Sequence, residues 1–199
     1  MCQLLETIKC AEGKLENLDY HQARFSLSRK IKFSAEDEIS LKNQIQIPDF
    51  AKTGLLRCRV IYGKQIDRIE FVPHVYRSVT TLRVVECDDI DYQFKYSDRK
   101  KLEAVFEKRD ECDDIIIVKN GWVTDSFAAN LVFFDGEKWV TPDKPLLAGT
   151  QRARLLSEGQ ITSAGVTKYD LKNFQKAGLI NAMNNLENMP VIEISKIVF

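Results

Sequence analysis

Apolar and polar positions alternate with a period of two over much of the first half of the chain, a pattern that predicts strands. Residues 2–10 form the first expected strand, Glu12-Gly13-Lys14 turns it, and residues 15–18 begin the return. Asp19 is placed to cap a helix over about residues 20–32, with Phe25 and Leu27 among its apolar positions. A second helix is expected over residues 36–46, stopped ahead of Pro48. Leu55–Tyr62 alternates as a strand, Gly63-Lys64 turns it, residues 65–73 return, and residues 76–85 are a further extended piece.

The acidic, turn-prone segment 86–89 is the expected linker. It divides a small N-terminal α+β lobe, residues 1–87, from a larger C-terminal α/β lobe, residues 88–199. Beyond it, Asp98 is placed to cap a helix over about 99–108. Residues 115–118 are a short, wholly apolar strand, and Asn120-Gly121 after it is the strongest hairpin signal in the chain. Strands are expected at 122–124, 129–134 and 138–141, with Asp135-Gly136 as a tight turn. An amphipathic helix follows over 150–158, ended by Gly159. Residues 161–169 then read as a strand, 173–177 as a short helix, and 179–183 and 190–197 as extended. Hairpins mixed with packing helices favour α/β or α+β over an all-β fold.

Composition narrows the function. With 29 Lys+Arg against 29 Asp+Glu the net charge is zero, so no long-range field draws nucleic acid or an anionic membrane. The five cysteines, at 2, 10, 58, 87 and 112, are odd in number and widely spaced, and no Cys-x-x-Cys occurs. Neither a metal site nor a disulfide framework is indicated, and a reducing cytoplasm is expected. The first residues lack the basic stretch and apolar core of a signal peptide, and no apolar run is long enough to span a bilayer.

Candidate chemistry concentrates in Gly121–Gly136 and Leu147–Arg152. Gly149-Thr150 opens a helix, whose first amides and positive dipole end favour an anion; an ordinary loop end and N-cap is the alternative. Asp125 lies among apolar strand residues, where a buried carboxylate needs a partner; an exposed turn Asp is the alternative. Asn130 would orient Asp125 or a turn, or simply occupy a strand edge. An acid beside an anion-binding helix start suits a phosphorylated basic heterocycle such as pyridoxal phosphate, which also needs a lysine. Lys95, Lys100, Lys101, Lys108 and Lys119 all lie in this half. Lys95 is distinguished by following Tyr92-Gln-Phe94 in an extended run, so an apolar wall would lower its pKa toward a nucleophilic amine. His21 and His74 share no metal-like spacing.

Taken together, these segments resemble the class IV aminotransferases, the fold-type IV pyridoxal phosphate enzymes, over nearly the whole chain. That family includes branched-chain and D-amino acid aminotransferases and 4-amino-4-deoxychorismate lyase. His21-Gln-Ala-Arg24 resembles its His-x-x-Arg motif, which makes Arg24 the expected phosphate holder. Lys95-Tyr-Ser-Asp-Arg99 resembles the segment of its Schiff-base lysine. Val123-Thr124-Asp125 with Asn130 resembles its Val-Thr-Glu…Asn segment, in which the acid meets the pyridine nitrogen; Asp125 is one methylene shorter. Leu147-Ala-Gly149-Thr150-Gln151-Arg152 resembles its Leu-x-Gly-x-x-Arg phosphate loop, with the amides of Thr150 and Gln151 as donors. Asn181-Ala182-Met183, ahead of Met189-Pro190-Val191, resembles the loop that closes on phosphate or substrate, so Asn181 and Ala182 are expected at the substrate.

The resemblance implies a two-lobed, D-amino acid aminotransferase-like homodimer that binds pyridoxal 5'-phosphate and acts on a small-molecule amine. The segment around Asn181 favours the lyase, which eliminates pyruvate from aminodeoxychorismate to leave 4-aminobenzoate. A small branched-chain or D-amino acid aminotransferase is the alternative. A non-catalytic binding protein that kept the fold is a third reading, motivated by Asp125.

Overall fold

Strand Leu4–Ala11 (β1) turns at Glu12 and Gly13, both at positive φ, into the two-residue strand Lys14–Leu15 (β2), in the computed structural model, which describes residues 3–199. Residue 2 of the expected first strand lies outside the described residues. Helix Leu18–Phe33 (α1) follows, and its N-cap is Asn17 at φ 55° rather than Asp19. Asp19 instead sits in the first turn, where a negative charge favours the helix dipole. Leu27 faces outward at 58% exposure, and the buried face carries His21, Phe25, Ser28 and Arg29.

The helix expected over 36–46 is a single turn, Leu41–Gln44 (α2). Arg29 accounts for the difference. Its guanidinium takes both the backbone carbonyl and the carboxylate of Asp37, at 2.8–2.9 Å, so that carbonyl is not used in a helical ladder. Strands Leu55–Tyr62 (β3) and Ile66–Pro73 (β4) then complete an antiparallel sheet in the order β2-β1-β3-β4. Leu4, Ile8, Cys58, Val60 and Tyr62 on one face of this sheet pack against Phe25 and Leu41, and the Phe25 and Tyr62 rings meet edge-on at 4.6 Å.

Contacts group the chain into two units. Residues 1–76 with 94–98 form the first, and 77–93 with 99–199 the second. The expected extended piece 76–85 is the shorter strand Leu82–Glu86 (β5). Before it, the Asp113 carboxylate accepts from the N–H and hydroxyl groups of Thr80 and Thr81 and holds a loop. The next helix, Lys100–Phe106 (α3), has Arg99 rather than Asp98 as its N-cap and continues as one tight turn to Arg109.

Strand Asp114–Lys119 (β6) and strand Trp122–Val123 (β7) are joined by Asn120 and Gly121 at φ 50° and 80°, the two left-handed residues that a type I′ hairpin requires. Asn130–Phe134 (β8) and Trp139–Pro142 (β9) follow, then helix Thr150–Ser157 (α4) and strand Thr162–Ala164 (β10). Because β9 and β10 are parallel, α4 is their crossover and its N-terminus follows the carboxyl end of β9. The helix expected at 173–177 is a tight turn, Leu171–Asn173, which runs into strand Lys176–Ile180 (β11). The Thr167 amide and hydroxyl bind the Asp170 carboxylate and set that turn. Val191–Glu193 (β12) and Ile197–Val198 (β13) end the chain, separated by a tight turn over 194–196.

The second unit thus holds two sheets, ordered β10-β9-β8-β11-β12 and β13-β5-β6-β7. Their shared core includes Ile116, Val118, Leu131, Phe133, Ala177 and Leu179. The result is a mixed α/β fold. Among the described residues no helix is long and apolar enough to cross a membrane.

Candidate active site

Asp125 extends β7 beyond Val123, and its carbonyl accepts from the Ile117 amide at 2.8 Å. The chain then reverses through residues 126–129, closed by the Ser126 amide to the Ala129 carbonyl, so that Asp125 faces Asn130 across an antiparallel bridge. This bridge resolves the alternatives left by the sequence. Asp125 is a buried carboxyl, 6% exposed, and Asn130 orients it: Asn130 Nδ2 donates to Asp125 Oδ1 at 2.7 Å. The Leu147 amide donates to Asp125 Oδ2 at 2.9 Å, and Asn130 Nδ2 also reaches the Leu147 carbonyl at 3.0 Å. Burial pushes the Asp125 carboxyl up to about 6, against the opposing pull of these donors and of the Arg152 charge.

The same triangle fixes Gly149. A Cβ built there would lie 1.8 Å from Asn130 Oδ1, so no other residue fits while Asn130 holds Asp125. Gly149 is also the N-cap of α4, and it offers no side-chain cap to the first-turn amides of Thr150 and Gln151. The N-terminal end of a helix carries partial positive charge and favours an anion. Arg152, in that first turn, is spent elsewhere: it donates to Thr141 Oγ1 at 3.1 Å and the Pro142 carbonyl at 2.8 Å, tying α4 to β9.

Lys95 and Arg24, also expected at the site, lie in the first unit. Lys95 is half-buried in a segment laid along β1: Leu5 N–H donates to the Lys95 carbonyl at 2.8 Å, Ser97 N–H to the Gln3 carbonyl at 2.9 Å, and Leu4 pairs with Tyr96. Arg24, on α1, makes a two-pronged pair with Glu6, Nε to Oε1 at 2.9 Å and Nη2 to Oε2 at 2.6 Å. His21 Nδ1 lies 2.6 Å from the same Oε2. Burial alone would raise the Glu6 carboxyl, but the Arg24 charge and the hydrogen bonds from His21 and Arg24 hold it at about 2. Burial lowers His21, with Glu6 opposing, so a neutral ring donates its Nδ1 proton to an ionised Glu6.

Glu6 is the residue that pattern reading missed. Its signal was a charged residue at an inward position of an apolar strand, flanked by the fully buried Leu4 and Ile8. Asn181 spends its side chain on backbone. Its Oδ1 accepts from the Met183 and Asn184 amides at 2.9 and 3.1 Å, and its Nδ2 donates to the Ala128 carbonyl at 3.2 Å. It therefore joins the loop after β11 to the turn between Asp125 and Asn130, and Ala182 is carried in the same bend.

Comparison with known proteins shows the family of the chain. The model of the family described as amino-transferase class IV matches residues 97–197. An uncharacterised protein of Haemophilus influenzae is 41% identical over 188 residues, covering 94% of this chain and all of the relative. The chain belongs to the class IV aminotransferase family. The crystal structure of a candidate 4-amino-4-deoxychorismate lyase from Haemophilus somnus is similar with TM-score 0.88 at 38% identity, over 94% of this chain and 98% of that one. The branched-chain amino acid aminotransferase of Escherichia coli shares the fold, with TM-score 0.71 at 13% identity, over 96% of this chain and 75% of that one. Membership of this family accounts for the mixed α/β architecture.

Two outcomes follow for this family member. Replacing Gly149 with Ala forces Asn130 off Asp125 and costs about 1–3 kcal/mol, seen as a lowered unfolding midpoint; an unchanged midpoint would mean the close approach is not needed. Asp125 titrates near 6 when folded against 3.8 in its ordinary state, so between those pH values the folded chain binds more protons and loses stability as pH rises. In cofactor-free protein, the stability of wild type relative to Asp125→Asn should fall by roughly 3 kcal/mol across that window, measured by denaturant unfolding at a series of pH values. A difference that stays flat with pH would mean Asp125 is not a buried, shifted acid.

Proposed function

We propose that this chain is a pyridoxal phosphate enzyme that eliminates pyruvate from 4-amino-4-deoxychorismate and releases 4-aminobenzoate. The observation that carries the cofactor reading is the Asp125 triangle. A buried carboxyl touched only by neutral donors has its titration raised, and a protonated ring nitrogen is the kind of cation that would make its ionised form favourable. The donor set fits the cofactor in its other parts as well. The N-terminus of α4 suits a phosphate, and the family resemblance implies Arg24 as a second phosphate contact and Lys95 as the amine. The choice of lyase over aminotransferase rests on the 38% identity to the Haemophilus somnus protein across nearly the full length of both chains.

Bound pyridoxal phosphate would supply an electron sink next to the amine-bearing carbon of the substrate. Asp125 would keep the ring nitrogen protonated, and Asn130 with the Leu147 amide fixes the direction of that carboxylate. Lys95 takes the proton from the amine-bearing carbon as the C–O bond to the enolpyruvyl group breaks. The departing enol regains a proton and becomes pyruvate, and the six-membered ring becomes aromatic. No oxidant and no amino acceptor is consumed. The reading includes a homodimer, which light scattering of the purified protein tests.

The purified enzyme given aminodeoxychorismate and pyridoxal phosphate, with no keto acid added, should release 4-aminobenzoate and pyruvate in equal amounts. Lys95→Ala should lower the rate by about 10²–10⁴-fold. Keto acid formed from an amino acid and 2-oxoglutarate, without 4-aminobenzoate from aminodeoxychorismate, would instead make the protein an aminotransferase.

A further inference from the structure

Outside the residues already assigned, the face of the first sheet opposite α1 carries an unusual set of charges. Strand register pairs Lys9 of β1 directly with Arg57 of β3, and Arg57 in turn with Val72 of β4. His74, just past the end of β4, is held opposite Leu55 by its amide to the Leu55 carbonyl at 3.0 Å. Side chains alternate along a strand, so Lys9, Arg57 and His74 share one face and His74 is a diagonal neighbour of Arg57. Like charges directly opposite one another across a ladder are destabilising. A position chosen for folding alone would carry an acid there.

No ion pair on this face reaches Arg57 among the described residues: the acids pair with its neighbours. Glu70 pairs with Arg59 at 2.9 Å and with Arg68 at 2.8 Å, and Glu16 pairs with Lys9 at 3.1 Å. Among the described residues the buried Nε of Arg57 and the buried Nε2 of His74 have no hydrogen-bond partner. Burial lowers the His74 ring, and the charges of Arg57 and Lys9 lower it further; no carboxylate pulls it back. The Tyr76 ring stands edge-on to His74 at 5.1 Å and makes one wall of the position.

This face also bears the candidate catalytic amine. The pairing of Leu4 with Tyr96, and of the Leu5 amide with the Lys95 carbonyl, sets Lys95 opposite Leu5. Leu5, Thr7 and Lys9 alternate onto the Arg57 face, and Lys95 goes with them. Four residues of strand from Leu5 to Lys9 span about 13 Å. Long Lys and Arg side chains at the two ends can therefore address opposite ends of one ring-sized substrate.

We infer that Arg57, flanked by Lys9 and His74, is an anion-binding site that takes a carboxylate of the substrate whose amine end is presented to Lys95. Its assignment to the ring carboxylate of aminodeoxychorismate and 4-aminobenzoate rests on the lyase reading. The anion site itself needs only a carboxylate-bearing ligand. A guanidinium grips a carboxylate through two parallel N–H bonds, which fixes the ligand's orientation as well as its affinity. The Arg57 guanidinium, facing Lys9 and with its buried Nε unpartnered, is then a stability cost that the ligand removes.

The test is calorimetric binding of pyruvate, 4-aminobenzoate and aniline to the cofactor-loaded enzyme, for wild type, Arg57→Gln, His74→Gln and Arg59→Gln, with unfolding midpoints for each. Wild type should bind the two carboxylates and discriminate against aniline, which has the ring without the acid. Arg57→Gln should weaken carboxylate binding by about 10–100-fold and leave aniline unchanged. His74→Gln should produce a smaller loss, and Arg59→Gln, whose guanidinium is committed to Glu70, none. The ligand-free midpoint of Arg57→Gln should equal or exceed that of wild type, which a merely structural arginine would not allow. A lowered midpoint with carboxylate binding intact, or no saturable binding of either carboxylate by wild type, would overturn the assignment. If carboxylates bind through Arg57 but aminodeoxychorismate yields no 4-aminobenzoate, the lyase reading falls and the anion site stands with a different carboxylate substrate.

Discussion

A carboxyl group shut away from water needs something positive to meet it if it is to carry its charge, and Asp125 is in that position. Neutral donors surround it, Asn130 on one oxygen and the Leu147 amide on the other, and they orient it without compensating it fully. Much of the local design follows from holding that one group. The turn at 126–129 exists to set Asp125 opposite Asn130. Gly149 must lack a side chain because Asn130 Oδ1 occupies the space. The loop that delivers the Leu147 amide is the same one that starts α4, so the acid and the helix N-terminus are fixed by one piece of backbone. The short Asp125 side chain reaches both donors at ordinary hydrogen-bond distances.

The first unit handles charge in two opposite ways. On the α1 side of its sheet, Glu6 is fully buried, yet Arg24 and His21 satisfy it, and its carboxyl is held ionised. Truncating any one member would strand a buried charge or donor, so this cluster locks α1 onto β1. On the opposite face Lys9 and Arg57 stand opposite each other beside His74, and the buried Arg57 Nε and His74 Nε2 have no such closure. The contrast sets a closed structural ion cluster apart from the face to which we assign a ligand. Glu6 also fixes the plane of the Arg24 guanidinium, which we propose as a contact of the cofactor phosphate.

Legibility of the sequence followed the range of the forces involved. Asn120-Gly121 and the β3–β4 hairpin were readable because turn chemistry and alternation are local. The α1 helix was readable, but its cap was not: Asn17 in a left-handed conformation, rather than Asp19, begins it. The helix expected over 36–46 failed because Arg29, eight residues before Asp37, takes the carbonyl of Asp37, a contact that periodicity does not report. Residues 76–85 failed likewise, since Asp113 binds Thr80 and Thr81 from across the chain. Within the candidate site, motif order pointed to Lys95, Asp125, Asn130 and Gly149, whereas the reasons for Asn130 and Gly149 emerged only in three dimensions, as one contact between them. Glu6 and Arg57 escaped notice because their meaning lies in which face of a strand they share, and with whom.

The account stands on the amine of Lys95 binding the cofactor aldehyde. Reduction of the loaded enzyme with borohydride, followed by digestion and peptide mass mapping, tests this most directly. The account predicts a single reduced phosphopyridoxyl group on the peptide that carries Lys95. The same label on another lysine, or no label on a protein that still turns over its substrate, would contradict it.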